Sequence, residues 1–128
     1  MADITGTPGN DILLGNDLEG DFITALAGVD KINGGMGGDY IFAGDGNDTA
    51  DGSFQRDFIQ GEAGDDTLNG NSGNDYVDGG TGKDKLNGGS GQDTLVRGHA
   101  GNGGRRCCQW RLRHRPADSR LFVIRRQA

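Results

Sequence analysis

The chain has 128 residues, enough for one domain, with 26 Gly, 32% hydrophobic and 6% aromatic residues. This composition excludes an ordinary globular core, because so few large apolar side chains bury little surface. Ordering the backbone costs about 1–2 kcal/mol per residue. Folding therefore requires another source of free energy, and without one such a chain stays disordered.

Residues 1–5 form a lead-in before the first recognisable repeat. They lack the basic stretch followed by an apolar stretch that marks a cleaved secretory signal. No apolar run in the chain approaches the length of a membrane span. We therefore expect neither a cleaved N-terminal signal nor a membrane span.

Residues 6–96 follow a nine-residue period. Ten copies align on an aspartate, in steps of nine residues except the step from Asp11 to Asp21, which is ten. An apolar residue follows each aspartate by two positions, a spacing that a disordered Gly/Asp-rich linker has no reason to keep. These apolar residues are Leu13, Ile23, Ile32, Ile41, Ala50, Ile59, Leu68, Val77, Leu86 and Leu95.

Each copy divides into a six-residue turn and a three-residue strand. Glycines in the turn can adopt positive φ and let backbone carbonyls converge. Side chains alternate along a strand, so the apolar residue points inward. Two copies, 18 residues, complete one coil, and the aspartates then stack in two columns. Column A consists of Asp11, Asp30, Asp48, Asp66 and Asp84, and column B of Asp21, Asp39, Asp57, Asp75 and Asp93.

Stacked aspartates require cations between them. Coils about 4.8 Å apart bring like-charged carboxylates together, and residues 1–96 carry 18 acidic against four basic side chains, a net charge of −14. Ca²⁺ takes several oxygen ligands in flexible geometry, whereas Mg²⁺ demands a strict octahedron. Zn²⁺ prefers nitrogen and sulfur ligands, and every His and Cys lies beyond residue 96. The columns therefore predict multiple calcium ions, about four to eight.

The cleanest copies, residues 34–42 and those starting at Gly79 and Gly88, read GGxGxDxUx with U a large aliphatic residue. This pattern resembles the RTX (repeats-in-toxin) nonapeptide, and the resemblance covers residues 6–96. It implies an all-β fold, a calcium-dependent parallel β-roll, which is a right-handed β-helix-like solenoid of about ten nonapeptide repeats. It also implies a non-catalytic module that stabilises a secreted, extracellular bacterial protein. Members of this family leave the cell unfolded by type I secretion and fold outside on binding calcium.

Three turns depart from the repeat. Residues 16–20 lack Gly at the fourth position, residues 25–29 lack it at the first two, and residues 52–56 place Gln55 where positive φ is expected. Column A is therefore predicted to be the better formed column. The expected carboxylate ligands are Asp11, Asp30, Asp48, Asp66, Asp84, Asp39, Asp75 and Asp93, with Asp21 and Asp57 weaker. The expected backbone ligands are the turn glycines Gly6, Gly9, Gly28, Gly34, Gly35, Gly37, Gly44, Gly46, Gly61, Gly64, Gly70, Gly73, Gly79, Gly80, Gly82, Gly88, Gly89 and Gly91.

The residue after each aspartate differs between the columns. In column A it is mostly Lys or Thr, whereas in column B four successive positions are aromatic and predict an aromatic ladder on one outer face. The ladder has two interpretations: ring stacking or docking against a neighbouring catalytic domain, or a surface for an acidic polysaccharide. The second gives an alternative function, a polysaccharide-binding module of an exopolysaccharide-modifying enzyme. No nucleic-acid partner is expected. The ladder residues are Phe22, Tyr40, Phe58 and Tyr76.

Residues 97–128 form an atypical tail with nine Arg against Asp118, a net charge of +8, together with both Cys and the only Trp. Our first interpretation is a GC-rich Gly/Asp gene read out of frame, because Arg codons shifted by one base encode Gly, Asp, Ala, Val or Glu. A genuine basic tail that binds an anionic surface is the second. The third is a capping strand at residues 121–124.

Overall fold

The computed structural model describes residues 1–16 and 18–98. These residues form an all-β solenoid of eleven three-residue strands. The described part of the chain has no helix with the length and apolar character needed to cross a membrane. The strands are β1 (Asp3–Thr5), β2 (Ile12–Leu14), β3 (Phe22–Thr24), β4 (Lys31–Asn33), β5 (Tyr40–Phe42), β6 (Thr49–Asp51), β7 (Phe58–Gln60), β8 (Thr67–Asn69), β9 (Tyr76–Asp78), β10 (Lys85–Asn87) and β11 (Thr94–Val96).

The strands alternate between two parallel sheets. Odd-numbered strands form a six-stranded sheet in the order β1-β3-β5-β7-β9-β11, and even-numbered strands form a five-stranded sheet in the order β10-β8-β6-β4-β2. Register partners lie 18 residues apart, as Phe22 and Tyr40 do. The exception is the first coil, where Asp3 pairs with Phe22 because of the ten-residue step after Asp11. The predicted parallel β-roll with two repeats per coil is confirmed.

Strand β1 corrects the predicted boundary of the repeat region. Asp3–Thr5 pairs in register with β3, and Ile4 packs against the core beside Ile23. The roll therefore begins within residues 1–5, which the repeat pattern places in a lead-in, and it has eleven strands where ten are expected. The repeat pattern misses this strand because Ala2 holds the position of the aspartate, with its N–H donating to Asp21 Oδ1.

The core is narrow: each strand contributes one inward-pointing side chain, and the turn residues Ala25 and Ala43 complete it. The apolar residue two positions after each aspartate lies inside, as predicted, and in β3 to β9 it is at most 3% exposed. The corresponding residues at the two ends, such as Leu13 and Leu95, are only partly buried. Because so narrow a core removes little apolar surface from water, burial contributes modestly to stability.

Two turn positions require the left-handed backbone that favours glycine. Gly46, in the fourth position, has φ 125°, and a Cβ there would collide with the carbonyl oxygen of Gly28 in the preceding coil. Gln55 takes the same position with φ 76°, which confirms the strain predicted from the sequence. The second position holds Leu26 and Glu62 at φ 81° and 75°, although glycine is the better residue there.

The roll continues two residues past the predicted start of the tail. Gly98 has φ 53°, and a Cβ on it would collide with the carbonyl oxygen of Gly80, one coil earlier. Arg97 and Gly98 therefore begin another turn in register with Gly79 and Gly80. The out-of-frame reading, the basic tail and the capping strand at 121–124 all concern residues that lie outside the described part of the chain.

Candidate metal-binding site

The aspartates form the two predicted columns and are held there by hydrogen bonds. In each column a backbone N–H donates to Oδ1 of the aspartate one coil later, as Asp30 donates to Asp48 at 2.7 Å. The same bond recurs along both columns at 2.7 to 2.9 Å. From Asp21 to Asp84 the aspartates of the two columns are at most 8% exposed. In each inner carboxylate, Oδ1 is thus occupied by a hydrogen bond that holds two coils together.

The second carboxylate oxygen of the inner aspartates has no partner. In six residues Oδ2 is buried and accepts no hydrogen bond, which is costly for a charged group. A hard cation with oxygen ligands satisfies this atom, and Ca²⁺ is the ion whose flexible coordination fits a stack of carboxylates and carbonyls. The six residues are Asp30, Asp48 and Asp66 of column A, and Asp39, Asp57 and Asp75 of column B.

Burial raises the pKa of Asp39, Asp48, Asp57, Asp66 and Asp75, and in each the hydrogen bond from the preceding aspartate's backbone opposes the rise. The pKa of Asp57 reaches about 8, with added repulsion from Asp75, Asp39 and Asp51. The pKa of Asp66 reaches about 7, and the pKa of Asp39 and of Asp75 reaches about 6. The metal-free fold therefore favours the charged carboxylates less than water does, and a bound cation would reverse that effect.

The glycine in the first turn position leaves space beside the free oxygen. A Cβ on Gly34 would collide with Asp39 Oδ2, and one on Gly52 would collide with Asp57 Oδ2. Ala25 and Ala43 hold this position in two repeats of column A and are fully buried. The departure from glycine at Ala43 is visible in the sequence, but it did not enter the predicted ranking of the two columns.

Backbone carbonyls supply the remaining candidate ligands. Among the described residues no three His, Cys, Asp or Glu side chains gather around one point, so carboxylates alone do not complete a site. The second-position carbonyl of Leu26 already accepts the N–H of Asp45 at 2.8 Å. By contrast, the fourth-position carbonyls of Gly28 and Gly46 accept no backbone N–H from the described residues. The carbonyls of the fourth turn position are therefore better candidates for calcium ligands than those of the second.

The first aspartate of each column differs from the inner ones. Thr7 donates from its backbone N–H and its hydroxyl to Asp11, so both carboxylate oxygens are occupied. Asp21 accepts from the backbone N–H groups of Ala2 and Asn16. The repeat pattern places Asp11 among the strong ligands and Asp57 among the weak ones, yet Asp57 has the free buried oxygen. The ranking of Asp66 above Asp57 stays a prediction, supported by the strained Gln55.

The aromatic ladder lies on the outer face of the six-stranded sheet, as predicted. Phe58 and Tyr76 stack at 5.0 Å between ring centroids with planes 3° apart, and Tyr40 lies 5.7 Å from Phe58. Phe22 and Tyr40 are 39% and 48% exposed. Phe42, which the pattern after each aspartate does not include, contacts both Phe22 and Phe58. The third strand position points outward like the first, and that alternation could have identified Phe42.

The comparison with known families agrees with this geometry. The model of the RTX calcium-binding nonapeptide repeat (four copies) matches overlapping segments of the chain, at residues 3–17, 19–50, 42–77, 51–85, 61–95 and 70–103. The protein is therefore a calcium-binding β-solenoid by class, and it belongs to the RTX calcium-binding nonapeptide repeat family. Searches of the curated proteins and of the solved structures returned no significant match.

Proposed function

We propose that this chain is a calcium-dependent folding module that stabilises a secreted bacterial protein and has no catalytic role. The observation that carries the proposal is the set of six buried, unpartnered carboxylate oxygens along the two columns. They occur in a chain with a narrow core and a net charge of −14 over residues 1–96. Calcium supplies the charge compensation and the ligand bonds that the protein itself lacks.

Folding and calcium binding are one process in this proposal. Without calcium the columns repel, and the buried core is too small to offset the chain entropy. Calcium binds only the assembled coils, so its binding free energy becomes folding free energy. One ion for each free oxygen gives six ions, within the expected range of about four to eight.

A far-UV circular dichroism titration tests the proposal. We expect β-strand signal to appear on addition of calcium and to disappear on addition of chelator. Magnesium at the same concentration is expected to induce much less structure, because it demands strict octahedral geometry. Strand signal that persists unchanged in chelator would contradict the proposal.

The family resemblance supports an extracellular site of action. A module that folds outside the cell needs a calcium midpoint between cytosolic and extracellular concentrations, and extracellular modules bind with Kd of about 0.1–1 mM. We therefore expect a midpoint in that range, which keeps the chain unfolded before export by a type I route. A submicromolar midpoint would argue against this part of the proposal.

A groove beside the aromatic ladder favours polysaccharide binding as a second candidate function. The groove has a volume of about 370 Å³, and its lining includes Tyr40, Phe58, Tyr76 and Arg56 together with the column B aspartates Asp39, Asp57 and Asp75, whose charge bound calcium would offset. Aromatic rings contact sugar faces, and a guanidinium pairs with the carboxylate of an acidic sugar. Calorimetric titration with a uronate polymer at saturating calcium tests this function. We expect Arg56→Gln to weaken binding while Lys83→Gln does not.

A further inference from the structure

In four repeats, a second set of hydrogen bonds forms at the turn residue that immediately precedes the aspartate. Asn47 Oδ1 accepts the backbone N–H of Asp65 at 2.9 Å, and Asp65 Oδ1 accepts the N–H of Lys83 at 2.9 Å. Asn10 and Asn74 accept equivalent bonds from the coil that follows each of them, at 2.9 and 2.8 Å. An amide oxygen and a carboxylate oxygen therefore perform the same structural role at this position.

Asp65 differs from the other three acceptors because it is the only charged one. It immediately precedes Asp66, and its hydrogen bond reaches the residue immediately before Asp84. Its carboxylate thus lies beside the part of column A between these two aspartates. The side chain is exposed, and Oδ1 is already bonded to the backbone, so its effect on an ion in the column is electrostatic.

The carboxylate of Asp65 repels the carboxylates of both neighbours, Asp66 and Asp84, while the guanidinium of Arg97 attracts that of Asp84. The negative charge of Asp65 therefore destabilises the metal-free column and attracts a cation to it.

We propose that Asp65 is an affinity-tuning residue that strengthens calcium binding between Asp66 and Asp84 by charge alone, without being a ligand. The inference rests on the proposed calcium-binding function. A single charge a few ångströms from a divalent ion at the protein surface changes affinity by about threefold to tenfold. The effect must fall at high salt, because the Debye length shrinks from about 10 Å at 0.1 M to about 3 Å at 1 M.

Asp65→Asn is the test, because Asn47 and Asn74 show that an asparagine keeps this hydrogen bond. We expect the calcium midpoint of folding to rise about 1.2-fold to 1.5-fold at 0.05 M salt, because the loss at one ion is shared among about six ions that bind together, and the difference from wild type to shrink at 1 M salt. The thermal midpoint at saturating calcium should fall slightly at 0.05 M salt, because weaker binding of one ion also lowers the stability of the loaded roll, and should approach that of wild type at 1 M salt. The reciprocal variant Asn47→Asp adds a charge beside Asp48 and should lower the calcium midpoint.

Asp65→Ala separates charge from structure, because it removes the acceptor as well and should lower the thermal midpoint at both salt concentrations. An unchanged calcium midpoint in Asp65→Asn, or a shift of equal size at both salt concentrations, overturns the proposal. A thermal midpoint of Asp65→Asn that is reduced equally at both salt concentrations also overturns it and makes the role structural. Failure of the calcium-binding function looks different, because wild type itself would then show no calcium-induced β structure.

Discussion

Gln55 has a backbone conformation that does not suit a residue with a Cβ. Its φ of 76° lies in the left-handed region, where every other fourth-position residue with positive φ is glycine. Gln55→Gly should stabilise the calcium-loaded roll by about 0.5–1 kcal/mol, since the relief of left-handed strain exceeds the greater entropy of the unfolded glycine. Urea denaturation at saturating calcium measures this change.

Gln55→Ala is the matched control for that substitution. It removes the same side chain but keeps a Cβ at positive φ, so we expect no gain in stability. Equal stabilisation by Ala and Gly would show that the side chain of Gln55, and not its backbone, is unfavourable.

At the scale of elements, the columns determine how the metal-free protein responds to pH. Folded aspartates with pKa values from about 6 (Asp48) to about 8 (Asp57) bind more protons than unfolded ones, whose pKa is about 3.9. The metal-free roll therefore gains stability as pH falls from 8 towards 4, and loses it as pH rises through the folded pKa values.

Circular dichroism in chelator should consequently show more β structure at pH 5 than at pH 8. The calcium concentration at the midpoint should rise as the pH falls from 8 to 5, because protons compete with calcium for the carboxylate oxygens. A metal-free chain that is equally unstructured at both pH values would contradict the sign of this prediction.

The aromatic ladder makes the two sheets unequal in stability. Phe58 contacts Tyr40, Phe42 and Tyr76, and cross-strand pairs contribute about 0.2–1 kcal/mol each. Phe58→Ala should therefore destabilise the loaded roll by about 1–2 kcal/mol in urea denaturation. Thr67→Ala is the control, because Thr67 holds the same strand position on the other sheet between Thr49 and Lys85.

The nine-residue period predicts the elements well because each strand is determined locally. The inward apolar residue and the aspartate two positions earlier fix the register of a coil, and no long-range pairing has to be guessed. The nine-residue pattern does not predict strand β1 or the outward position of Phe42. Both can be recognised only from the alternation of side chains along a strand, and not from the glycine turn. The sequence pattern could not predict which carboxylate oxygens are free, because that depends on side-chain rotamers. The hydrogen bond from Thr7 to Asp11 is missed for the same reason.

At the scale of the whole molecule, Arg97 closes the end of the five-stranded sheet. Its guanidinium donates to the carbonyl oxygen of Asp84 at 3.1 Å. In the preceding coil the equivalent carbonyl, that of Asp66, accepts the backbone N–H of Lys85 at 2.8 Å. Arg97 thus occupies the place of a backbone donor from a further coil.

A chain that ends at residue 98 should keep the calcium midpoint of the full chain within about twofold, because each coil of a solenoid contacts only its neighbours. A chain that ends at residue 96 loses the Arg97 bond and should need more calcium. Circular dichroism titration of the two truncated chains compares them. A large shift on removing residues 99–128 alone would favour a genuine cap over an out-of-frame tail.

The constant offset of 18 residues between stacked strands also gives the roll a mechanical behaviour. The strands lie across the solenoid axis, so a force applied to its two ends opens one coil at a time and does not shear a whole sheet at once. An extended coil spans about 60 Å, against about 5 Å in the roll. Stretched by its ends, the molecule would lengthen in steps of about 55 Å, each coinciding with the release of the ions between two coils.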